Sequence, residues 1–125
     1  MSRSEKAIQN DILMDLSALD GGIFWRNNSG QAWQGQKLEK PTGSYVKIEP
    51  GMVVLAQARP IRFGLEGSAD IVGAYGCRPV AVEVKKDGGR QAQVQRYFER
   101  AWVKAGGIYV LARSVDEARD GVLLG

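Results

Sequence analysis

The chain predicts an α/β fold: a mixed β-sheet flanked by helices, with core order α-β-β-β-α-β and a β-hairpin inserted into it. Three observations carry this. Ile8, Ile12, Leu16 and Leu19 recur at spacings of four, four and three, which is one face of a helix. Pro79-Val80-Ala81-Val82-Glu83-Val84-Lys85 is short and β-branched, the pattern of a buried strand. A second helical stripe, Val94, Phe98, Ala101, Trp102 and Ala105, leads into the apolar run Ile108-Tyr109-Val110-Leu111-Ala112, so the strand–helix–strand unit should be a parallel, right-handed crossover.

The first helix is expected from residue 2 to residue 19, ended by Asp20-Gly21-Gly22, with a strand over 23–27. Residues 28–42 are rich in Gly, Gln and Lys without periodicity and read as a mobile loop. Short strands at 44–48 and 52–57 should meet at the turn Pro50-Gly51, followed by a basic stretch over 58–64. A strand over 70–74 turns through Gly76-Cys77-Arg78-Pro79 into the 79–85 strand. The second helix should span 90–105 and stop at Gly106-Gly107. Ser114 caps a final helix, with Glu117 completing a capping box. Trp102 and Trp25 read as core; Trp33, alone among polar residues, is the candidate for stacking on an unpaired base.

The length suits one domain over 1–125. No run of 18 apolar residues suggests a membrane span, and the N-terminus lacks the apolar centre of a signal peptide, so a cytoplasmic protein is expected. Cys77 has no cysteine to pair with and no histidine to activate it. The absence of histidine removes zinc fingers, Ser-His-Asp triads and histidine-based phosphodiester chemistry. Hydrolysis would have to run on carboxylates, lysine and water, and an oxygen-rich ligand supply favours Mg²⁺ or Mn²⁺ over Zn²⁺. A net charge of +3 suits a phosphate-tracking surface and an ordinary solvated one about equally.

Glu83 and Lys85 share a strand face, about 6–7 Å apart along the chain direction. Asp70 lies thirteen residues upstream, at the end of the neighbouring strand. Paired carboxylates repel unless a cation neutralises them, so a divalent metal gives a reason for placing both there. Glu-x-Lys alone is as well explained by a solvent-facing pair; the Gly-x-x-Asp upstream tips the reading. Glu5 continues the apolar face of the first helix and could reach a metal directly or through water, or simply form a capping box with Ser2. Gln95 and Gln91 are rival residues for orienting water or phosphate, and either could be a surface glutamine. Arg26, Asn27 and Asn28 could hold a phosphate or end a strand. Arg59 and Arg62 read as backbone-phosphate contacts, and Lys86 and Arg90 as further DNA-binding cations.

Taken together, Glu5, Arg26-Asn27, Gly67-Ser68-Ala69-Asp70, Glu83-Val84-Lys85 and Gln95 resemble the PD-(D/E)XK nuclease superfamily and, more closely, its VRR-NUC (virus-type replication-repair nuclease) family. Ala69 stands where the superfamily carries a proline. The resemblance implies a restriction-endonuclease-like fold, with Asp70 and Glu83 as metal ligands and the Val84 carbonyl as a further one. It makes Lys85 the catalytic lysine and Glu5 the first-helix acid, and Gly89-Arg90 followed by Gln95 selects Gln95 over Gln91. It also implies a small homodimer of phage or prophage type, similar to Holliday junction resolvases, that cuts branched or flapped DNA with Mg²⁺ or Mn²⁺. The alternatives are a nuclease of the same fold acting on linear or single-stranded DNA, and a catalytically silent DNA-binding or assembly subunit.

Overall fold

Helix α1 (Glu5–Ser17) begins at Ser4, whose Oγ accepts the Ala7 N–H at 3.2 Å, and buries Ile8, Ile12 and Leu16. Thirteen residues form a marginal helix in isolation; three buried aliphatic side chains, roughly 5–9 kcal/mol as an upper bound, hold this one in place. The computed structural model describes residues 3–39 and 47–125. Ser2, and with it the expected Ser2–Glu5 box, lies outside the described residues, as does most of the expected strand at 44–48. The observed cap is Ser4, which leaves Glu5 in the first helical turn.

The chain forms two compact units, residues 1–29 with 64–125, and residues 30–63. In the first, β1 (Gly22–Arg26), β4 (Ile71–Tyr75), β5 (Arg78–Val84) and β6 (Ile108–Ala112) make one mixed sheet in the order β1-β4-β5-β6. The first three are antiparallel neighbours, and β6 runs parallel to β5 after the crossover helix α2 (Gln93–Lys104). A final helix, α3 (Val115–Leu124), is capped by Ser114, whose Oγ accepts the Glu117 N–H; Glu117 reaches back to the N–H of Arg113 instead of Ser114. The core joins Ile8, Ile12 and Leu16 of α1 and Ala118 and Val122 of α3 to Ile71, Val80, Val82, Val84, Ile108 and Val110 of the sheet. Gly76 and Cys77, both at positive φ, close a two-residue type I′ hairpin between β4 and β5. No helix among the described residues is long and apolar enough to cross a membrane.

The second unit is a ribbon of β2 (Gly30–Lys37) paired antiparallel with β3 (Leu55–Phe63). Residues 28–42 therefore contain a strand where a loop was expected, and the basic stretch is the body of β3, not a lead-out from a strand at 52–57. The Pro50-Gly51 turn is present: Met52 N–H donates to the Glu49 carbonyl at 3.0 Å, with Gly51 at φ 90°, as a type II turn requires. No described residue of the ribbon is buried, so neither strand carries the alternation that would have marked it.

Two further expectations fail in the first unit. Trp25 is 53% exposed, because β1 is an edge strand and its buried side is taken by Phe24. Helix α2 starts at Gln93, since Ala92 is extended at φ −74°, ψ 162°, and none of its stripe is fully buried. Trp102 is half-buried, stacked on Phe98 and donating its indole N–H to the Ile108 carbonyl at 3.0 Å.

Candidate metal centre

Strand alternation sends Val80, Val82 and Val84 into the α1/α3 core and turns Glu83 and Lys85 toward α2. Glu83 is the one polar or charged side chain that is buried among the described residues. Its Oε1 accepts from Gln95 Nε2 at 2.9 Å and stands 3.6 Å from Lys85 Nζ. Its Oε2 is buried with no hydrogen-bond partner. Burial first, and then the neighbouring charge of Asp70, push the Glu83 carboxyl up to about 8; Lys85 pulls the other way and loses.

Gln95 is fixed at both ends of its amide. Its Oε1 accepts the N–H of Ala92 at 2.8 Å, capping α2, so Nε2 is the end that faces Glu83. Gln91 is committed elsewhere, donating to Glu99 Oε1 at 3.1 Å and Tyr109 Oη at 3.0 Å. Of the two rivals, only Gln95 touches the acid. Lys85 is held through its backbone, which extends the parallel ladder by donating to the Ala112 carbonyl at 3.0 Å.

Asp70 sits where β4 and β5 stop pairing. Their last register pair is Ile71 with Val82, and beyond it Asp70 Oδ2 takes the Val84 N–H at 2.8 Å. An extended residue sends its N–H and C=O to the same strand edge, so the Val84 carbonyl faces the Asp70 side as well. The turn that delivers Asp70 is tied down by Asn27. Its Nδ2 donates to Ser68 Oγ at 2.8 Å and to the Ala69 carbonyl at 2.9 Å, while its backbone N–H donates to the Asp70 carbonyl. Both amide protons of Asn27 are thus used inside the protein, a positioning role its sequence context did not signal. Gly67, at φ 83°, lets this loop press on α2: a Cβ there would lie 2.6 Å from the Val94 carbonyl oxygen.

A cleft of about 430 Å³ opens beside Asp70 and Val84, and Glu5, Lys6, Gln9 and Arg26 complete its lining. Glu5 is exposed at its rim, and Arg26 bonds Asn10 Oδ1 across to α1. Lys6 and Gln9 were not singled out from sequence, although Gln9 follows Glu5 by one helical turn. Among the described residues no three acidic, cysteine or histidine side chains gather as a metal-binding group, so Glu5 does not join Asp70 and Glu83 in a carboxylate triad. The donor set brought together is two carboxylates and a carbonyl, all hard oxygens, which suits Mg²⁺ or Mn²⁺ with water completing the shell. The buried, unpartnered Glu83 Oε2 fits a cation ligand. Lys86 and Arg90 are exposed on the loop between β5 and α2, while Arg59 and Arg62 lie on the β2–β3 ribbon. The chain matches no protein-family model and no curated protein.

Proposed function

We propose that this chain is a metal-dependent DNA endonuclease of the VRR-NUC type, with a restriction-endonuclease-like core, that hydrolyses phosphodiester bonds in branched DNA as a homodimer. One observation carries the reading: a buried glutamate, one oxygen unpartnered, lies beside a lysine and a second carboxylate, Asp70, which lines an open cleft. Structural salt bridges satisfy their oxygens; this one leaves an oxygen to be satisfied by something else.

Asp70, Glu83 and the Val84 carbonyl would hold Mg²⁺ or Mn²⁺, which when bound polarises a phosphoryl oxygen and makes a water acidic enough to attack near neutral pH. Lys85 then places a positive charge beside the phosphate, where negative charge grows as the nucleophile adds. Gln95 fixes the rotamer of Glu83, and Asn27 fixes the turn that presents Asp70. Arg26 and Lys6 on the cleft wall would take flanking phosphates, setting position without reading sequence.

The test is incubation with a four-way junction, a flap and a matched plain duplex, in Mg²⁺ or EDTA, comparing wild type with Glu83→Ala. The expected result is metal-dependent cleavage of the branched substrates that Glu83→Ala abolishes. Cleavage indifferent to both metal and the substitution overturns the assignment, and equal rates on plain duplex overturn the branched-DNA preference.

A further inference from the structure

We infer that the β2–β3 ribbon is a single-strand grip, in which Trp33 stacks on a base of an unpaired DNA segment and Arg62 holds the adjacent phosphate. The inference rests on the nuclease reading for the identity of the nucleic acid and extends it by naming the substrate region recognised. Charge is the first observation. Residues 30–63 carry five basic and two acidic residues, whereas the rest of the chain carries twelve of each. All of the net +3 resides in the inserted segment.

The second observation is the face the ribbon presents. Cross-strand partners share a face, so the pairs Gln31–Arg62 and Trp33–Pro60 lie together on one side. Trp33 is 64% exposed, and among the described residues no aromatic ring stacks on it and no cation covers it. Arg59 belongs to the opposite side, its guanidinium tied to Gln34 Oε1 at 3.2 and 2.8 Å. Among the described residues the Trp33 side therefore offers a bare indole, a prolyl ring, an amide and a guanidinium with no ion-pair partner.

No described residue of the ribbon is buried, and a lone two-stranded ribbon is marginal in water, so the indole there serves no core. A second copy is a poor occupant, because two equally basic ribbons repel. A polyanion with exposed base faces meets both features at once. Duplex DNA meets only the charge, since its bases already stack on each other.

The experiment measures anisotropy of a fluorescein-labelled 20-mer of deoxythymidine and of a matched duplex with the full chain in EDTA, so that nothing is cut. Trp33→Ala should weaken single-strand binding roughly 5–100-fold and duplex binding much less, with Trp33→Phe retaining most of the affinity. Arg62→Gln should lower the slope of log affinity against log salt by about 0.7. Unchanged single-strand binding in Trp33→Ala, equal losses on both probes, or conversion of a dimer to monomer by Trp33→Ala overturns the inference. Mn²⁺-induced thermal stabilisation, measured on the same variants, separates the two readings. If it survives in Trp33→Ala while binding is unchanged, the grip fails and the metal centre stands; if wild type lacks it, the metal centre fails alone.

Discussion

Replacing Glu83 by glutamine should change how stability depends on pH and on metal, in a direction fixed by the site. In the folded chain the carboxyl is raised from 4.5 to about 8. Below pH 4.5 the group is protonated in both states and costs nothing. Between 4.5 and 8 the unfolded chain releases the proton and the folded chain keeps it, so stability falls as pH rises; above 8 the full cost is present. At about 1.4 kcal/mol per pH unit, the loss between pH 4.5 and 7 is about 3 kcal/mol. For a chain of this size that corresponds to roughly 10 °C in Tm. Glutamine keeps an acceptor for Gln95 Nε2 but cannot ionise, so Glu83→Gln should remove this slope and melt higher than wild type at pH 8 in EDTA. With Mn²⁺ at 100 times its Kd, wild type should regain about 2.7 kcal/mol and the variant nothing. Thermal unfolding followed by circular dichroism from pH 5 to 9, with Mn²⁺ or EDTA, reads both effects. Taking the difference between the two proteins cancels the carboxylates that do not interact with Glu83. Parallel pH profiles, or equal stabilisation of both by Mn²⁺, would refute the burial and cation-binding argument together.

On the proposed mechanism the Lys85 ammonium would act on phosphate charge and not ligate the metal, so Lys85→Met should reduce junction cleavage by at least about 10²-fold while leaving Mn²⁺-induced stabilisation in place; single-turnover rates and thermal shifts check this. Asn27→Ala removes two half-buried hydrogen bonds that hold the Ser68-Ala69 turn, so it should cost about 1–3 kcal/mol and also weaken Mn²⁺ binding, measured by calorimetry; unchanged Mn²⁺ affinity would restrict Asn27 to stability.

The parts of this structure that could be read from residues are those where one face is buried. Ile8, Ile12 and Leu16 give a helical stripe because α1 lies on the sheet, and the β5 valines form an apolar run because both faces of that strand are covered. β2 and β3 have no buried face, and the Gln57–Ala58 bulge in β3 opposite Gly35 breaks their register, so no period-2 pattern could announce them. Trp25 misleads for the opposite reason: a bulky aromatic in a strand implies burial only if something covers that side. Within the site, Asp70, Glu83 and Lys85 come together through strand alternation and a hairpin, both local features. The role of Asn27 depends on partners 41 and 42 residues away and leaves no local trace.

Glu83 also shows why a buried charge points to function when the folding energetics alone argue against it. A leucine at that position would share the strand face of Ala81 without desolvating a carboxylate, and exchanging a buried ion pair for apolar packing is often neutral or stabilising. Lys85 does not remove the cost, because it stands 3.6 Å from Oε1, the oxygen Gln95 already holds, and Oε2 is left without a partner. A proton or a cation can each neutralise the carboxylate there, and each excludes the other. Metal binding near neutral pH must therefore displace a proton, and cation affinity should rise as pH approaches 8. Equal Mn²⁺ affinity at pH 6 and pH 8 would mean that the cation binds without engaging Glu83, and the site would have to be drawn around other groups.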